Sequence, residues 1–92
     1  MLNQLLLVGK IKKIPSNDLL KGDNELEVEV RRNYKNVDGI FKSDCFICCL
    51  WIAITKKICL NCKEGDLVMI KGRLIEDNAQ YKIMAEQVVL LN

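Results

Sequence analysis

The side chains in this chain that could do chemistry are aromatic and basic. Its 92 residues include one tryptophan, Trp51, two tyrosines and 14 lysines and arginines, but no histidine. The chain therefore lacks the commonest general base and the commonest metal ligand, and no phosphate-binding glycine-rich loop is visible. We expect neither an enzyme nor a cofactor. Flat rings and cations suit another task, which is stacking on exposed bases and contacting phosphates.

The candidate ligand-binding residues are spread along the chain. Tyr34 lies at a predicted strand end among basic neighbours, and Trp51 is the other aromatic candidate. The net charge of only +2 is too small for binding duplex DNA by charge alone. Glu25, Glu27 and Glu29 count against a uniformly basic surface. The basic candidates for phosphate contacts are Lys10, Lys12, Arg31, Arg32, Lys35, Lys42, Lys71 and Arg73.

Five cysteines raise the alternative of a zinc-stabilised β module. Cys45 and Cys48, and then Cys59 and Cys62, have the spacing of two zinc-binding pairs. In a strand, however, residues i and i+3 point to opposite faces, and on an apolar helix face cysteine acts as a small hydrophobe. We therefore predict no metal site and no disulfide.

The hydrophobic pattern begins with two predicted strands. The first runs from Leu2 to about Ile14 and ends at Pro15, which lacks a backbone donor. Turn residues follow at 16–18 and 21–24. The second strand, Glu25–Arg31, alternates strictly between charged and apolar residues, which is typical of a half-buried strand.

A long third strand and a helix are predicted next. A hairpin signal at Asn33–Gly39 precedes the strand, Phe41–Ile54. If Phe46, Cys48 and Leu50 form its core face, Trp51 points outward with Cys45, Ile47 and Cys49. The helix, Thr55–Lys63, would end with Gly65 at its C′ position. Its apolar face has helical spacing and consists of Thr55, Ile58, Cys59 and Cys62.

Two more strands complete the pattern. The fourth runs from Asp66 to about Ile75, with Gly72 marking a bend or a close backbone approach. A short turn at Glu76–Ala79 leads to the fifth, from Tyr81 to about Leu91. In the fourth strand, Leu67, Met69 and Lys71 face one way and Val68, Ile70 and Gly72 the other. The order β-β-β-α-β-β predicts an all-β fold with one short helix, a five-stranded Greek-key barrel with the helix between strands 3 and 4.

Length and composition indicate one domain over residues 1–92, without a C-terminal tail. Half of the residues are hydrophobic and 28% are charged, as in a globular protein. No apolar run is long enough to cross a bilayer, and the N-terminus lacks the basic start of a signal peptide. We expect a cytoplasmic location.

The chain resembles the bacterial single-stranded DNA-binding protein (SSB) family, whose domain is an OB-fold. The resemblance covers nearly the whole chain and depends on an ordered set rather than on one motif. Its first half contains Asn3, Leu7–Gly9, Ile11, Pro15, Tyr34–Asn36 and Asp38–Gly39. Its second half contains Asp44, Cys48, Trp51, Gly65–Leu74, Ala85 and Leu91.

Two departures from the family pattern concern ligand contacts. Cys45 stands where members often have a stacking aromatic, and the turn between the last two strands is very short. Members also commonly continue into a disordered linker and an acidic tip. The chain stops at Asn92.

The resemblance implies sequence-independent single-stranded DNA binding in replication, recombination or repair, through stacking and phosphate contacts. It also implies a homo-oligomer, a dimer or tetramer, formed through the apolar first strand, which contains Leu2, Leu5, Leu6, Leu7 and Val8. The alternative is an OB-fold protein-interaction module similar to primosomal accessory proteins, with nucleic acid as a minor ligand. The acidic second strand and Cys45 favour that alternative.

Overall fold

The computed structural model describes residues 1–15 and 24–91. The elements follow in the predicted order β-β-β-α-β-β. Their bounds are β1 (Leu5–Lys13), β2 (Glu25–Lys35), β3 (Phe41–Cys49), α1 (Ile52–Asn61), β4 (Leu67–Asp77) and β5 (Gln80–Leu90). The turns predicted at 16–18 and 21–24 lie outside the described residues, apart from Asn24.

The five strands close into a barrel in the order β1-β2-β3-β5-β4. All neighbouring strands are antiparallel except β3 and β5, which are parallel. β1 contributes to two sides of the barrel because it bends along its length. It pairs with β4 over Leu5–Lys10 and with β2 between Lys10 and Lys13. The predicted five-stranded barrel is confirmed.

Alternating strand residues fill the barrel, as the pattern of β2 predicts. Leu26 and Val28 are fully buried, whereas the glutamates that alternate with them, Glu25, Glu27 and Glu29, remain partly accessible. Val68 and Ile70 are buried on β4, whereas Leu67 and Lys71 are exposed, which confirms the predicted division of that strand into two faces. The core cluster is Ile11, Leu26, Val28, Cys48, Leu50, Ile58, Val68, Ile70, Ile83 and Ala85.

The prediction of a third strand reaching Ile54 was wrong. β3 ends at Cys49 and α1 already begins at Ile52, so Trp51 is the N-cap residue of the helix rather than a strand residue. Isoleucine is common in strands, but strand propensities span only about 1 kcal/mol, and burial of one helix face outweighs that preference. The buried helix residues are Thr55 and Ile58, both of which belong to the predicted apolar face.

The predicted end of the helix was also wrong. α1 ends at Asn61, with Cys62 as its C-cap, so Lys63 is not in its last turn and Gly65 is not its C′ residue. Gly65 instead has a φ of 92° in the turn that enters β4, a backbone conformation that glycine adopts without strain. None of the helical residues that the structure describes forms a segment of the length and apolarity needed for crossing a membrane.

The remaining strand ends differ from the prediction by a few residues. β1 begins at Leu5 rather than Leu2, β2 continues to Lys35, and β4 continues to Asp77. β4 and β5 are joined by Asn78 and Ala79, with φ values of 51° and 64°. Two consecutive positive φ angles are those of a type I′ hairpin turn, whose twist matches that of the strands.

Gly72 marks a close backbone approach, as predicted. A Cβ added at this position would overlap the carbonyl oxygen of Met84 on β5. The β4–β5 register shifts between Lys71 and Gly72, which indicates a bulge at the same point. The barrel therefore turns its corner where the fourth strand has no side chain.

Candidate nucleic-acid interface

The β2–β3 hairpin extends beyond the part of the barrel that β1 covers. β1 pairs with β2 only up to Glu29, whereas β2 continues to pair with β3 as far as Lys35 and Phe41. The Asn36 side-chain oxygen accepts hydrogen bonds from the N–H groups of Asp38 and Ile40, each at 3.0 Å. Such an Asx arrangement fixes the turn locally. The hairpin tip is thus ordered without contact to the barrel core.

One face of this hairpin combines a ring with two cations. The Cζ atom of Arg31 lies 4.7 Å from the centroid of the Phe41 ring, and Nζ of Lys35 lies 5.6 Å from it. Both distances fit cation–π contacts. Phe41 was not among the candidates from the sequence, because the register that sets it opposite Lys35 follows from the exact position of the turn.

Arg32 lies in a different environment from Arg31. Its guanidinium donates two hydrogen bonds to the carboxylate of Asp44, at 2.9 and 2.8 Å. These bonds raise the pKa of Arg32 above its usual value and lower the pKa of Asp44. Among the predicted cations, Arg32 is therefore already paired within the hairpin. Tyr34, two residues further along the strand, is 60% exposed.

Trp51 is exposed, but it lies at the other end of β3. Its side chain is 63% accessible, while its carbonyl accepts hydrogen bonds from the N–H and the hydroxyl of Thr55 at 2.8 and 3.0 Å. The nine residues of β3 span roughly 26 Å. The two ends of β3 therefore carry separate aromatic positions, Trp51 at one and the hairpin residues Tyr34 and Phe41 at the other.

The glutamates of β2 occupy the surface between these ends. Because they alternate with buried residues, Glu25, Glu27 and Glu29 project outward. Each lies close to a lysine. Lys82 Nζ is 2.7 Å from a Glu25 oxygen, Lys12 Nζ is 3.9 Å from a Glu27 oxygen, and Lys10 is the register partner of Glu29.

These contacts change the roles available to the predicted lysines. Lys12 also donates a hydrogen bond to the sulfur of Cys45 at 3.3 Å, and this contact raises the pKa of Lys12. The hydrogen bond to Glu25 likewise raises the pKa of Lys82. Lys12 therefore already has two partners within the protein, Glu27 and Cys45.

The remaining predicted cations, Lys71 and Arg73, are on another side of the barrel. Both are on the outward face of β4, and Lys71 is the register partner of Leu6 on β1. The ten predicted site residues therefore do not form one cluster. The hairpin holds Arg31, Arg32, Tyr34, Lys35 and Lys42, β1 holds Lys10 and Lys12, β4 holds Lys71 and Arg73, and Trp51 caps α1.

Part of the outer face of β1 and β4 is apolar. Leu6 is 64% and Val8 47% exposed, and both project outward beside Met69 and Leu67 of β4. One edge of β1 pairs with β4, but over Leu5–Gly9 the structure pairs no β2 residue with the opposite edge. A groove lies along this edge, lined by Val8, Gly9, Lys10, Glu29, Val30, Arg31, Ser43 and Leu67. We name Leu6, Val8, Leu67 and Met69 the β1–β4 apolar face.

The cysteines occupy distinct environments. Cys48 is fully buried in the core, and its burial raises its pKa to about 12, whereas Cys45 is exposed. Cys59 and Cys62 are partly buried at α1. In the described residues, no group of three or more cysteine and acidic side chains is placed to hold a metal ion.

This arrangement predicts an order of cysteine alkylation in the native protein. Iodoacetamide at about pH 8 should modify Cys45 first and Cys48 last, because the thiolate is the nucleophile and Cys48 is both inaccessible and protonated. Peptide mass spectrometry over a time course measures this order. Modification of Cys48 in step with Cys45 would contradict the buried position of Cys48.

Comparison with known proteins settles the fold. The chain has the OB-fold. It superimposes over 100% of its length on 96% of the single-stranded DNA-binding protein of Plasmodium falciparum in complex with single-stranded DNA, with a TM-score of 0.74 and 17% identity. The resemblance seen in the sequence is thus confirmed at the level of the fold.

Two further structures agree. The mitochondrial single-stranded DNA-binding protein of S. cerevisiae gives a TM-score of 0.70 at 10% identity, covering 100% of this chain and 96% of that one. The second single-stranded DNA-binding protein of Mycobacterium smegmatis gives 0.69 at 16%, covering 99% and 90%. By sequence, no family model and no curated protein matches the chain.

Proposed function

We propose that this OB-fold domain binds single-stranded DNA without sequence preference. The observation that carries the proposal is the exposure of Trp51 and Tyr34 at the two ends of β3, with cations concentrated in the hairpin. Exposed rings offer stacking surfaces that every base fits, and nearby cations track the phosphates. The solved structures with this fold include one bound to single-stranded DNA, which supports the proposal.

In this proposal the residues have unequal roles. Trp51 and Tyr34 stack on bases, and Arg31, Lys35 and Lys42 contact phosphates. Lys71 and Arg73 would extend the phosphate path around the barrel. Arg32 instead holds the hairpin through Asp44, and Lys10 and Lys12 offset the glutamates of β2. The biological setting would be replication, recombination or repair in the cytoplasm.

Titration with oligo-dT tests the proposal directly, because Trp51 is the only tryptophan and reports on its own surroundings. We expect strong quenching of its fluorescence at low salt, weakening as salt is added, because phosphate binding releases counterions. An unchanged signal together with no gel shift would reject single-stranded DNA binding.

Replacing Trp51 with Ala is expected to weaken oligo-dT binding by about 1–3 kcal/mol, the usual contribution of one stacked base. Fluorescence anisotropy of a labelled oligonucleotide measures the affinity without the tryptophan. Trp51→Phe is the matched control and should retain most of the affinity. Equal loss in both variants would show that stacking is not what Trp51 contributes.

We also propose that the protein is a homo-oligomer, a dimer or tetramer assembled through β1. The β1–β4 apolar face is exposed, and the neighbouring β1 edge, which pairs with no β2 residue over Leu5–Gly9, has a groove beside Val8 and Gly9. Pairing of this edge with the same edge of a second copy would cover both features. Light scattering at micromolar concentration should therefore report more than one chain.

The second candidate function is a protein-interaction module with nucleic acid as a minor ligand. The observation that favours it is the outward row formed by Glu25, Glu27 and Glu29, which repels phosphates at the centre of the β2–β3 sheet. Absence of both quenching and a gel shift in the oligo-dT titration would favour this function over the first.

The same glutamates provide a test by gain of binding. Glu27→Gln combined with Glu29→Gln should tighten oligo-dT binding about tenfold at about 50 mM salt, because two negative charges leave the surface between the two aromatic ends. The control carries the same charge change elsewhere, Glu64→Gln combined with Glu86→Gln. Equal gains in both double variants would mean that only net charge matters.

A further inference from the structure

Phe41 is an aromatic residue of the hairpin to which the proposed function assigns no role. Its ring is 38% exposed, so it is neither a core residue nor fully solvated. Arg31 and Lys35 both approach it, at 4.7 and 5.6 Å from its centroid. The register between β2 and β3 explains both contacts. Lys35 is directly opposite Phe41, and Arg31 is opposite Ser43, one diagonal step away on the same face.

The two cations at this ring differ from Arg32 of β2, Lys12 of β1 and Lys82 of β5 in what holds their side chains. Within residues 1–15 and 24–91, Arg32, Lys12 and Lys82 each form an ion pair with a carboxylate, whereas Arg31 and Lys35 form none. The cation–π contacts with Phe41 orient these two positive charges without neutralising them. An anion approaching the hairpin would meet two positive charges fixed beside an aromatic surface.

On the basis of the proposed function, we infer that Phe41, Arg31 and Lys35 together bind one nucleotide. The base stacks on the exposed part of the Phe41 ring, and the flanking phosphates bind the guanidinium and the ammonium. Arginine and lysine both suit phosphate, and a ring that already orients them reduces the entropy lost on binding. Together with Trp51, this site places strong contacts at both ends of β3, on either side of the glutamates.

The single tryptophan makes the inference testable at the site itself. In the double variant Trp51→Phe and Phe41→Trp, the only indole lies at the hairpin, and its fluorescence should be quenched when oligo-dT binds. Binding detected by gel shift without quenching would overturn the inference. The control is Trp51→Phe with Ile40→Trp, which moves the indole to the neighbouring exposed position. Equal quenching in the control would reflect mere proximity and would also overturn it.

Substitutions at Phe41 separate stacking from packing. Phe41→Leu keeps an apolar side chain of similar volume but removes the ring, and it should raise the dissociation constant for oligo-dT about 5- to 150-fold. Phe41→Tyr should bind like the wild type, and so should Ile40→Ala. If Phe41→Leu binds as tightly as the wild type, the inference fails and the proposed function stands. If the wild type itself does not bind, both fail.

Discussion

Replacing Gly72 with Val is expected to destabilise the barrel by about 3 kcal/mol, a large part of the stability of a domain of this size. The added Cβ would overlap the carbonyl oxygen of Met84, and further backbone atoms of β5 lie next to it. A side chain could rotate away, but a paired strand cannot move without breaking the β4–β5 ladder. Urea unfolding followed by circular dichroism measures the change, and the midpoint should fall well below that of the wild type.

Gly65→Ala is the control for this prediction. Nothing lies within 4 Å of a Cβ at that position, so the substitution meets only the strain of a φ of 92°. That strain costs about 1–3 kcal/mol, and we expect the lower end because the turn is open. A Gly72 variant no less stable than this one would mean that β4 and β5 do not approach as closely as the structure shows.

Replacing Leu6 and Val8 together with Glu is expected to convert the proposed oligomer into a single folded chain. Both side chains point out of the barrel, so their loss leaves the core unchanged. In a symmetric interface each new carboxylate would face apolar residues or its own copy, and such placements cost several kcal/mol. Size-exclusion chromatography with light scattering should show the mass of one chain, and the wild type a multiple of it.

The control for this variant is Leu60→Glu on α1, where the side chain is 81% exposed and far from β1 in sequence. It should leave the mass unchanged. A wild type that is already a single chain would reject the proposed assembly. If the Leu6/Val8 variant still assembles, the interface lies on another surface.

The parts of the fold that could be predicted are those governed by local alternation. Leu26 and Val28 are buried between glutamates, and Val68 and Ile70 face inward, as the two-residue period predicts. The start of α1 could not be predicted in this way. Ile52 and Ile54 extend the apolar run that begins at Phe46, and the sequence alone does not show that Ile58 has to cover the end of the barrel.

The residues of the candidate site were proposed from the sequence, but their arrangement could not be. The exposure of Trp51 and Tyr34 agrees with their proposed roles. What sequence reasoning lacked was the register between paired strands. Register pairs Lys10 with Glu29, places Lys71 beside Leu6 and sets Lys35 opposite Phe41. These pairings decide which charges are neutralised and which remain available.

The parallel contact between β3 and β5 has a consequence for how the barrel forms. It joins the strands through only two register pairs, Cys48 with Ile83 and Cys49 with Met84, whereas β4 and β5 are paired along their length. The two hairpins can each form from neighbouring segments, but this seam needs residues far apart in sequence to meet, which slows folding. Because this seam has the fewest register pairs in the barrel, we expect it to be where the native ring first opens.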